Sequence, residues 1–470
     1  MSRINTNIGS LQAMHRLTKN QGDLSTRLQR LSTGLKINSG KDAPAGLIAS
    51  ETLRSEVAGI NQAVDNSQRA NNVLNTAEGA LGEVSNLLLE VQSLTNQAAN
   101  SGALSPQEIA ANQLQVDAIL NSINRVSNTT QFNGVKLLNG GLDYATSGIS
   151  SAKIDVAQIN AAKIPDNGTL NVAVQVTASA KVGTVEFTAS GIGGAPATIE
   201  ISGNTGTEQL SFGASAKNSA IAYAINQLKE STGVSASVVA GKLDMYSTEF
   251  GSRQFVSVKT ISGTFVDGKV FGADATVNIN GSKASVDGRT ATVRTGDLDM
   301  SLTLDQAFAQ TTAGAGSTTN FTITGGGAKF QLGEKVERPS QVHLGVASVA
   351  TTKLGNQVTG YLSSLASDGP NSLVGGNTIK GQKILDASIK QVAELRGRIG
   401  AFQKDVIETN VNTLNVALEN VTAAESSIRD ADFAEETSQM TRAQILVQAN
   451  TSVLSQANSS PQNVLSLIGR

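Results

Sequence analysis

The segment GTFVDGKV at 263–270 comes nearest to a reaction motif, matching a phosphate-binding loop, G-x-x-x-x-G-K-[ST], up to its last position. Val270 lacks the hydroxyl that holds magnesium in such loops. The flanks also read as strands rather than strand then helix, so a β-turn is expected there. Asp430 and Asp432 in IRDADF form a carboxylate pair of the kind used in general acid–base work, but no base, nucleophile or metal cluster accompanies them. Their expected role is a helix-start cap and interface charge. His15 and His343 are the two histidines and lie far apart, so a His-based zinc site would need carboxylates as well. Each is expected at a surface or interface. The sequence has no HExxH motif and no cysteine, which excludes disulfides, zinc–thiolate sites, iron–sulfur clusters and thiol catalysis. The sequon Asn320-Phe321-Thr322 carries weight only in a eukaryotic secretory route. No catalytic, cofactor-binding or metal site is expected, and no cofactor.

Composition points the same way. The 470 residues allow about three domains at roughly 150 residues each. With 36 Lys+Arg against 38 Asp+Glu the net charge is -2, which predicts neither nucleic acid nor an anionic membrane as partner. Aromatic residues are 3%, Trp is absent and Gly reaches 46, so burial must come from Leu, Ile, Val and Ala. The opening MSRINTNIGSLQAM has no continuous apolar run, and no stretch approaches the ~18 apolar residues of a membrane span. Export, if it occurs, is expected to proceed without the general secretory signal.

The elements that must position these residues divide by period. Ile4, Ile8, Leu11, Leu17, Leu24, Leu28, Leu31 and Leu35 recur at steps of three, four and seven with one of six, a helical stripe. The pattern repeats from Val57 to Ala98, a helix of roughly 60 Å, too long for anything but a bundle or coiled coil. Ser105-Pro106-Gln107-Glu108 supplies an N-cap, a first-turn proline and a capping-box glutamate for a further helix with Val116, Ile119 and Ile123. After the turn dipeptide Asn133-Gly134, alternation by two dominates from about 140 to 380. Strands are predicted at Leu170–Val176, Val185–Thr188, Thr198–Ile201, Phe255–Ile261, Thr276–Asn280 and Phe321–Thr324, with one helix at Ser219–Glu230. TTAGAGSTTN and ITGGGAK read as loops. Helical period returns near Ile384, runs through Leu395, Ile399 and Val406, and continues less cleanly to Ile428. A last segment from about Met440 carries Val447, Leu454 and Ala457, and Pro461 is expected to break it.

Neither terminal stripe has a hydrophobic partner within its own segment. The two ends can bury their stripes against each other, with the β region as an excursion. Residues 1–40 carry Arg3, Arg16, Lys19, Arg27, Arg30 and Lys36 with one acid, Asp23, whereas 441–470 are rich in Gln, Asn and Ser. Such ends are expected to order when neighbouring subunits complete their burial.

Here the sequence resembles bacterial flagellin. The resemblance is carried by SRINTNIGSLQA, LQRLSTGLKINSGKDAPAGLIAS (28–50) and RVSNTTQFNGVKLLNG (125–140), and by IRDADFAEETSQMTRAQILVQANTSVLSQANSSPQNVLSLI (428–468). The middle, SGNTGTEQL through VSASVVAGKLDMYS (234–247), is similar to an insert module of some flagellins and hook-associated proteins. It implies an α+β fold: a discontinuous helical coiled-coil or bundle core built from both termini with a β-hairpin, plus a central, mainly-β surface insert. The implied domains are inner-core terminal helices at 1–42 and 435–470, an outer rod with β-hairpin at 43–178 and 382–434, and an exposed variable insert at 179–381 of one or two subdomains.

The implied function is a non-enzymatic structural subunit of the extracellular filament, exported unfolded through the flagellar type III channel. A hook–filament junction protein is the alternative reading. Implied partners are further copies of the chain, an export chaperone on the C-terminal segment, a filament cap protein and hook-associated proteins. Assembly residues are expected among Ile4, Ile8, Leu11, Leu24, Leu28, Leu31, Leu35, Val447, Leu454, Ala457, Val464 and Leu465. The family's innate immune receptor surface is matched at Leu94 and Gln97. Glu90, Gln115 and Ile119 depart from it, which implies weak engagement of that receptor. Exposed Ser and Thr of the insert are expected as carriers of O-linked glycans. A glycan-binding or enzymatic module on the insert would need clustered polar chemistry, and none is visible in the sequence.

Overall fold

The computed structural model describes residues 6–100, 102–165, 168–311 and 317–468, with side chains through Ser460. It divides into two compact units: Met1–Arg69 with Gln331–Gln341 and Asp405–Arg470, and Ala70–Phe330 with Val342–Lys404.

In the first unit, helix α1 (Ile8–Thr33) packs against the C-terminal helix, α9 (Phe433–Ile468). Asn7 caps α1 by accepting the Ser10 N–H at 3.0 Å. Gly34 ends α1 in the left-handed region at φ 72°, returning its N–H to the Arg30 carbonyl. The predicted mutual burial of the two ends is thus realised. Buried and half-buried positions include 13, 17, 20, 24, 27 and 31, and 436, 440, 443, 447, 450, 454 and 457, with Ser10, Thr26, Arg30, Gln439 and Ser459 half-buried beside them. Steps alternating between four and three are the narrow seam of a coiled coil rather than the broad face of a globular helix.

Two corrections apply to α9. It begins at Phe433, earlier than Met440, because the Asp432 carboxylate accepts the Ala434 and Glu435 N–H groups at 2.8 and 3.2 Å. It also runs through Pro461 instead of breaking there. A proline has no N–H, so the carbonyl four residues earlier, on Ala457, loses its helical donor. Asn7 fills that vacancy with its side-chain amide at 2.7 Å.

The exits of the paired helices are joined as well. The Lys36 N–H reaches the Arg429 carbonyl at 2.7 Å and the Ala431 N–H reaches that of Gly34 at 2.9 Å, on either side of a bridge between Leu35 and Asp430. The long helix α2 (Pro44–Ala99) starts on Pro44, whose fixed φ suits the first helical position. Near its start Glu51 takes Arg429 at 3.1 Å, at the end of α8 (Thr409–Arg429). A hairpin tip at 331–341 leans on α2 at Gly59, where a Cβ would lie 3.2 Å from the Glu334 carbonyl oxygen. Asn410 holds the same tip through the Leu332 carbonyl at 2.9 Å.

In the second unit, α2 from Ala70 onward buries Leu74, Leu81, Val84, Leu88 and Val91. Helix α3 (Pro106–Thr129) buries Val116, Ile119, Leu120 and Ile123 and opens with the predicted capping box: the Ser105 hydroxyl accepts the Glu108 N–H and the Glu108 carboxylate accepts the Ser105 N–H. The turn at Asn133-Gly134, with φ 48° and 81°, joins the strands Gln131–Phe132 and Val135–Lys136 into a hairpin.

Beyond it lie two β-rich cores. In the first, the strand Leu170–Ala178 pairs with Thr276–Ile279 and Thr318–Gly326 in a five-stranded sheet, and Ile154–Ala162 pairs with Leu298–Leu304 in a four-stranded one. Val172, Val174, Leu302, Leu304 and Phe321 fill the space they enclose. The second core holds a four-stranded sheet around Ala197–Ser202 and Phe255–Ser262, and a three-stranded sheet ordered Thr184–Phe187, Lys242–Ser247, Val234–Val239. The helix predicted at Ser219–Glu230 is two pieces, α4 (Asn218–Gln227) and the short α5 (Lys229–Thr232), parted at Leu228. GTFVDGKV links the strands Phe255–Ser262 and Gly268–Phe271, with no helix following. ITGGGAK is mostly strand, turning at Gly327 between Thr318–Gly326 and Ala328–Gln331, rather than loop.

After α6 (Gln306–Ala309), the chain returns to helix in α7 (Thr378–Ala401), which buries Ile384, Leu385, Val392, Leu395 and Ile399. Gln92 to Asp386 at 3.1 Å, Glu78 to Arg396 at 2.8 Å and Asn71 to Gln403 at 2.9 Å show that α7 and its extension run antiparallel to α2. The stripe predicted from 384 to 406 is interrupted by a π-helix, Phe402–Glu408.

Candidate assembly surface

Among the described residues, the only buried apolar side chains of the α1–α9 pair are small, Ala13 and Ala443. Leu17, Leu24, Leu31, Val447, Leu454 and Ala457 are half-buried along the seam, while Asn20, Arg27, Asn450 and Glu436 share the same spacing. Polar residues at such positions fix register at a cost in stability.

Glu436 has the tightest set of contacts. Its side chain is 7% exposed, and Arg27 donates to both carboxylate oxygens at 3.0 and 2.8 Å while Arg30 donates at 2.9 Å. Burial pushes this carboxyl up, but the hydrogen bonds and charges of the two guanidinium groups outweigh it and hold it below the ordinary glutamate range. At the far end, Ser10 reaches Asn458 at 2.7 Å. These contacts fix an antiparallel register over the length of the pair.

A second set of apolar side chains lies outside the seam. Ile8, Leu11, Met14 and Leu28 on α1, and Ile445, Leu446 and Val453 on α9, are exposed, Ile445 at 60% and Ile8 at 51%. A monomer rarely leaves so many large apolar side chains open on one pair of helices.

The expected assembly residues therefore separate. Leu24, Leu31, Val447, Leu454 and Ala457 line the seam; Ile8, Leu11 and Leu28 point outward; Leu35 lies half-buried in the connector. Ile4 and the side chains of Val464 and Leu465 lie outside the described residues. Sequence reasoning missed Glu436 with Arg27 and Arg30, and also Met14, Ile445, Leu446 and Val453. The signal for the first was present, because Arg27 interrupts a stripe of leucines at the spacing the seam demands. Of the two residues matched to a receptor surface, Leu94 is buried and Gln97 is exposed.

His15 is exposed on α1, and His343 is half-buried in the strand Gln341–Leu344. Among the described residues, no group of three or more His, Asp or Glu side chains is placed to hold a metal ion, and no helix is long and apolar enough to cross a membrane.

Comparison with known proteins gives three family matches: the bacterial flagellin N-terminal helical region over residues 4–142, the bacterial flagellin C-terminal helical region over 382–468, and the flagellin hook IN motif over 198–249. Flagellin of Salmonella rubislaw is 31% identical over 513 residues, spanning 99% of each chain. Flagellin of Salmonella typhimurium is 30% identical over 523 residues, and flagellin D of Vibrio anguillarum 29% over 473, each again spanning 99% of both chains. Among solved structures, flagellar hook associated protein-3 of Legionella pneumophila aligns with 14% identity and a TM-score of 0.32, covering 80% of this chain and 98% of that one.

Proposed function

The chain belongs to the bacterial flagellin family, and from that premise we propose that the outward apolar stripe of the α1–α9 pair is the surface on which copies stack. A flagellin is a structural protein, not an enzyme; it polymerises with itself into the extracellular filament of the flagellum that drives motility. The observation that carries the reading is the split between a seam of small and half-buried side chains and a second stripe left open to water. Covering a half-exposed Leu or Ile contributes about 1 kcal/mol, so a helical lattice that covers the whole stripe on every subunit gains several kcal/mol per subunit.

In this reading 1–42 and 435–470 form the inner core of the filament, 43–178 and 382–434 the outer rod, and 179–381 the surface insert. An export chaperone would cover the open C-terminal stripe before assembly, a cap protein would enclose the growing end, and hook-associated proteins would meet the filament base. Burial of Leu94 beside the exposed Gln97 supports weak engagement of an innate immune receptor. Hydroxyls on the insert would carry O-linked glycans; an intact mass of native filament equal to the bare chain ends that part of the reading.

The test compares two perturbations. Removing residues 1–30 or 441–470 is expected to leave a folded monomer that no longer polymerises. Leu11→Asp with Ile445→Asp is expected to do the same at full length, since both side chains are exposed in the monomer but would place carboxylates in a buried lattice contact. Normal filaments from either would refute the reading.

A further inference from the structure

A cleft of about 880 Å³ opens between the three-stranded sheet of the insert, α5, α6 and the start of α7. Its floor is the outward face of that sheet. Along Lys242–Ser247, Asp244 and Tyr246 point the same way, opposite the buried Leu243 and Met245. Across the register, Ser237 stands beside Asp244 and Ser235 beside Tyr246, with Thr184 on the other flank of Tyr246. Cross-strand neighbours lie about 5 Å apart and alternate residues on one strand about 7 Å apart. This makes a grid of hydroxyl, carboxylate and phenol groups on the scale of one pyranose ring. From the facing wall Gln306 and Gln310, both exposed, present carboxamides at either end of α6. An ion pair between Glu230 and Lys383 closes one side.

The chemistry of the lining selects the ligand. The cations Lys229 and Lys383 nearly balance Glu230, Asp244 and Glu249, and no arginine lines the cleft, so neither a phosphate group nor a polyanion is favoured. Val182 and Phe250 are the main apolar side chains in the lining, too few to anchor a lipid or an apolar peptide. What remains is a dense set of groups that each donate, accept or do both: hydroxyls, carboxamides and a carboxylate, with one tyrosine ring. Sugar hydroxyls donate and accept in the same way, and the apolar face of a sugar ring stacks on an aromatic one. We propose that this cleft is a binding site for a neutral oligosaccharide, held by Asp244, Tyr246 and the serines of the sheet face against Gln306 and Gln310. None of these residues lies on the terminal helices that carry the proposed stacking surface.

The experiment titrates the full-length monomer with maltotriose, cellotriose, mannotriose and chitotriose, with inorganic phosphate as charged control, by calorimetry and saturation-transfer NMR. At least one trisaccharide is expected to bind saturably with Kd of roughly 0.1–1 mM. Asp244→Asn, and separately Gln310→Ala on the facing wall, should each weaken it about tenfold while thermal unfolding and filament formation stay unchanged. Absence of saturable binding by every trisaccharide up to about 20 mM, binding of phosphate alone, or equal binding by both variants overturns the proposal. Filaments formed by the variants keep that outcome separate from the assembly reading.

Discussion

Replacing Glu436 by Ala leaves Arg27 and Arg30 facing each other without the carboxylate that joins them. Three N–H···O contacts of 2.8–3.0 Å are lost. Hydrogen bonds to a charged group contribute about 1.5–3 kcal/mol each, a gross loss of about 5–9 kcal/mol. The two arginine side chains are 26% and 19% exposed, so water recovers part of what they lose, and the wild-type pair already carries a desolvation cost for Glu436. A net loss of about 2–4 kcal/mol remains, which raises the opening equilibrium of the terminal pair by about 30- to 700-fold. Native-state amide exchange on the monomer reads this directly, as faster exchange across α1 and α9 with the rod helices unchanged. Glu436→Gln keeps the shape without the charge and should fall between the parent and the alanine variant. It should also remove an acid dependence. Because the folded carboxyl is held below its ordinary range, its contribution is complete near neutrality and is lost as pH falls below the ordinary glutamate range through the folded value. Exchange in Glu436→Ala within about threefold of the parent would refute the claim that this cluster holds the terminal pair together.

Two further outcomes concern the rod. Leu88→Ala removes a fully buried side chain and is expected to cost about 2.7–5 kcal/mol in chemical denaturation, whereas the exposed neighbour Leu89→Ala should cost well under 1 kcal/mol. Ser105→Ala removes the hydroxyl that accepts the Glu108 N–H, while the backbone N–H at 105 can still reach the Glu108 carboxylate, and should lower stability by about 0.5–2 kcal/mol, with the exchange change confined to the first turn of α3.

What the sequence made legible were features set by neighbours in the chain. The capping box at Ser105–Glu108, the Asn133-Gly134 turn and the alternation of Leu170–Val176 each depend on residues a few positions apart, and each formed as expected. The features it hid depend on partners far away. Pro461 reads as a helix breaker until Asn7 supplies the missing donor to the Ala457 carbonyl, 450 residues away in sequence. Glu436 reads as one acid among several near the start of α9 until Arg27 and Arg30 close on it. The polar cleft was invisible for the same reason: Asp244 and Tyr246 alternate on one strand, but Gln306, Gln310 and Lys383 join them only through the fold.

The contacts between Asn7 and Ala457 and between Arg27 and Glu436 also bear on the order of events in folding. Closing a loop of that size costs on the order of 5 kcal/mol in chain entropy before any contact rewards it. The sheets of the insert, several of whose strand pairings are far more local, reduce that cost only after they have formed. The terminal pair is therefore the last element to close and the first to open. A chain still being made has nothing for α1 to pair with, so its leucine stripe stays unsatisfied until the final residues are present. Formation of the coil is a late step that waits for both ends of the chain to meet.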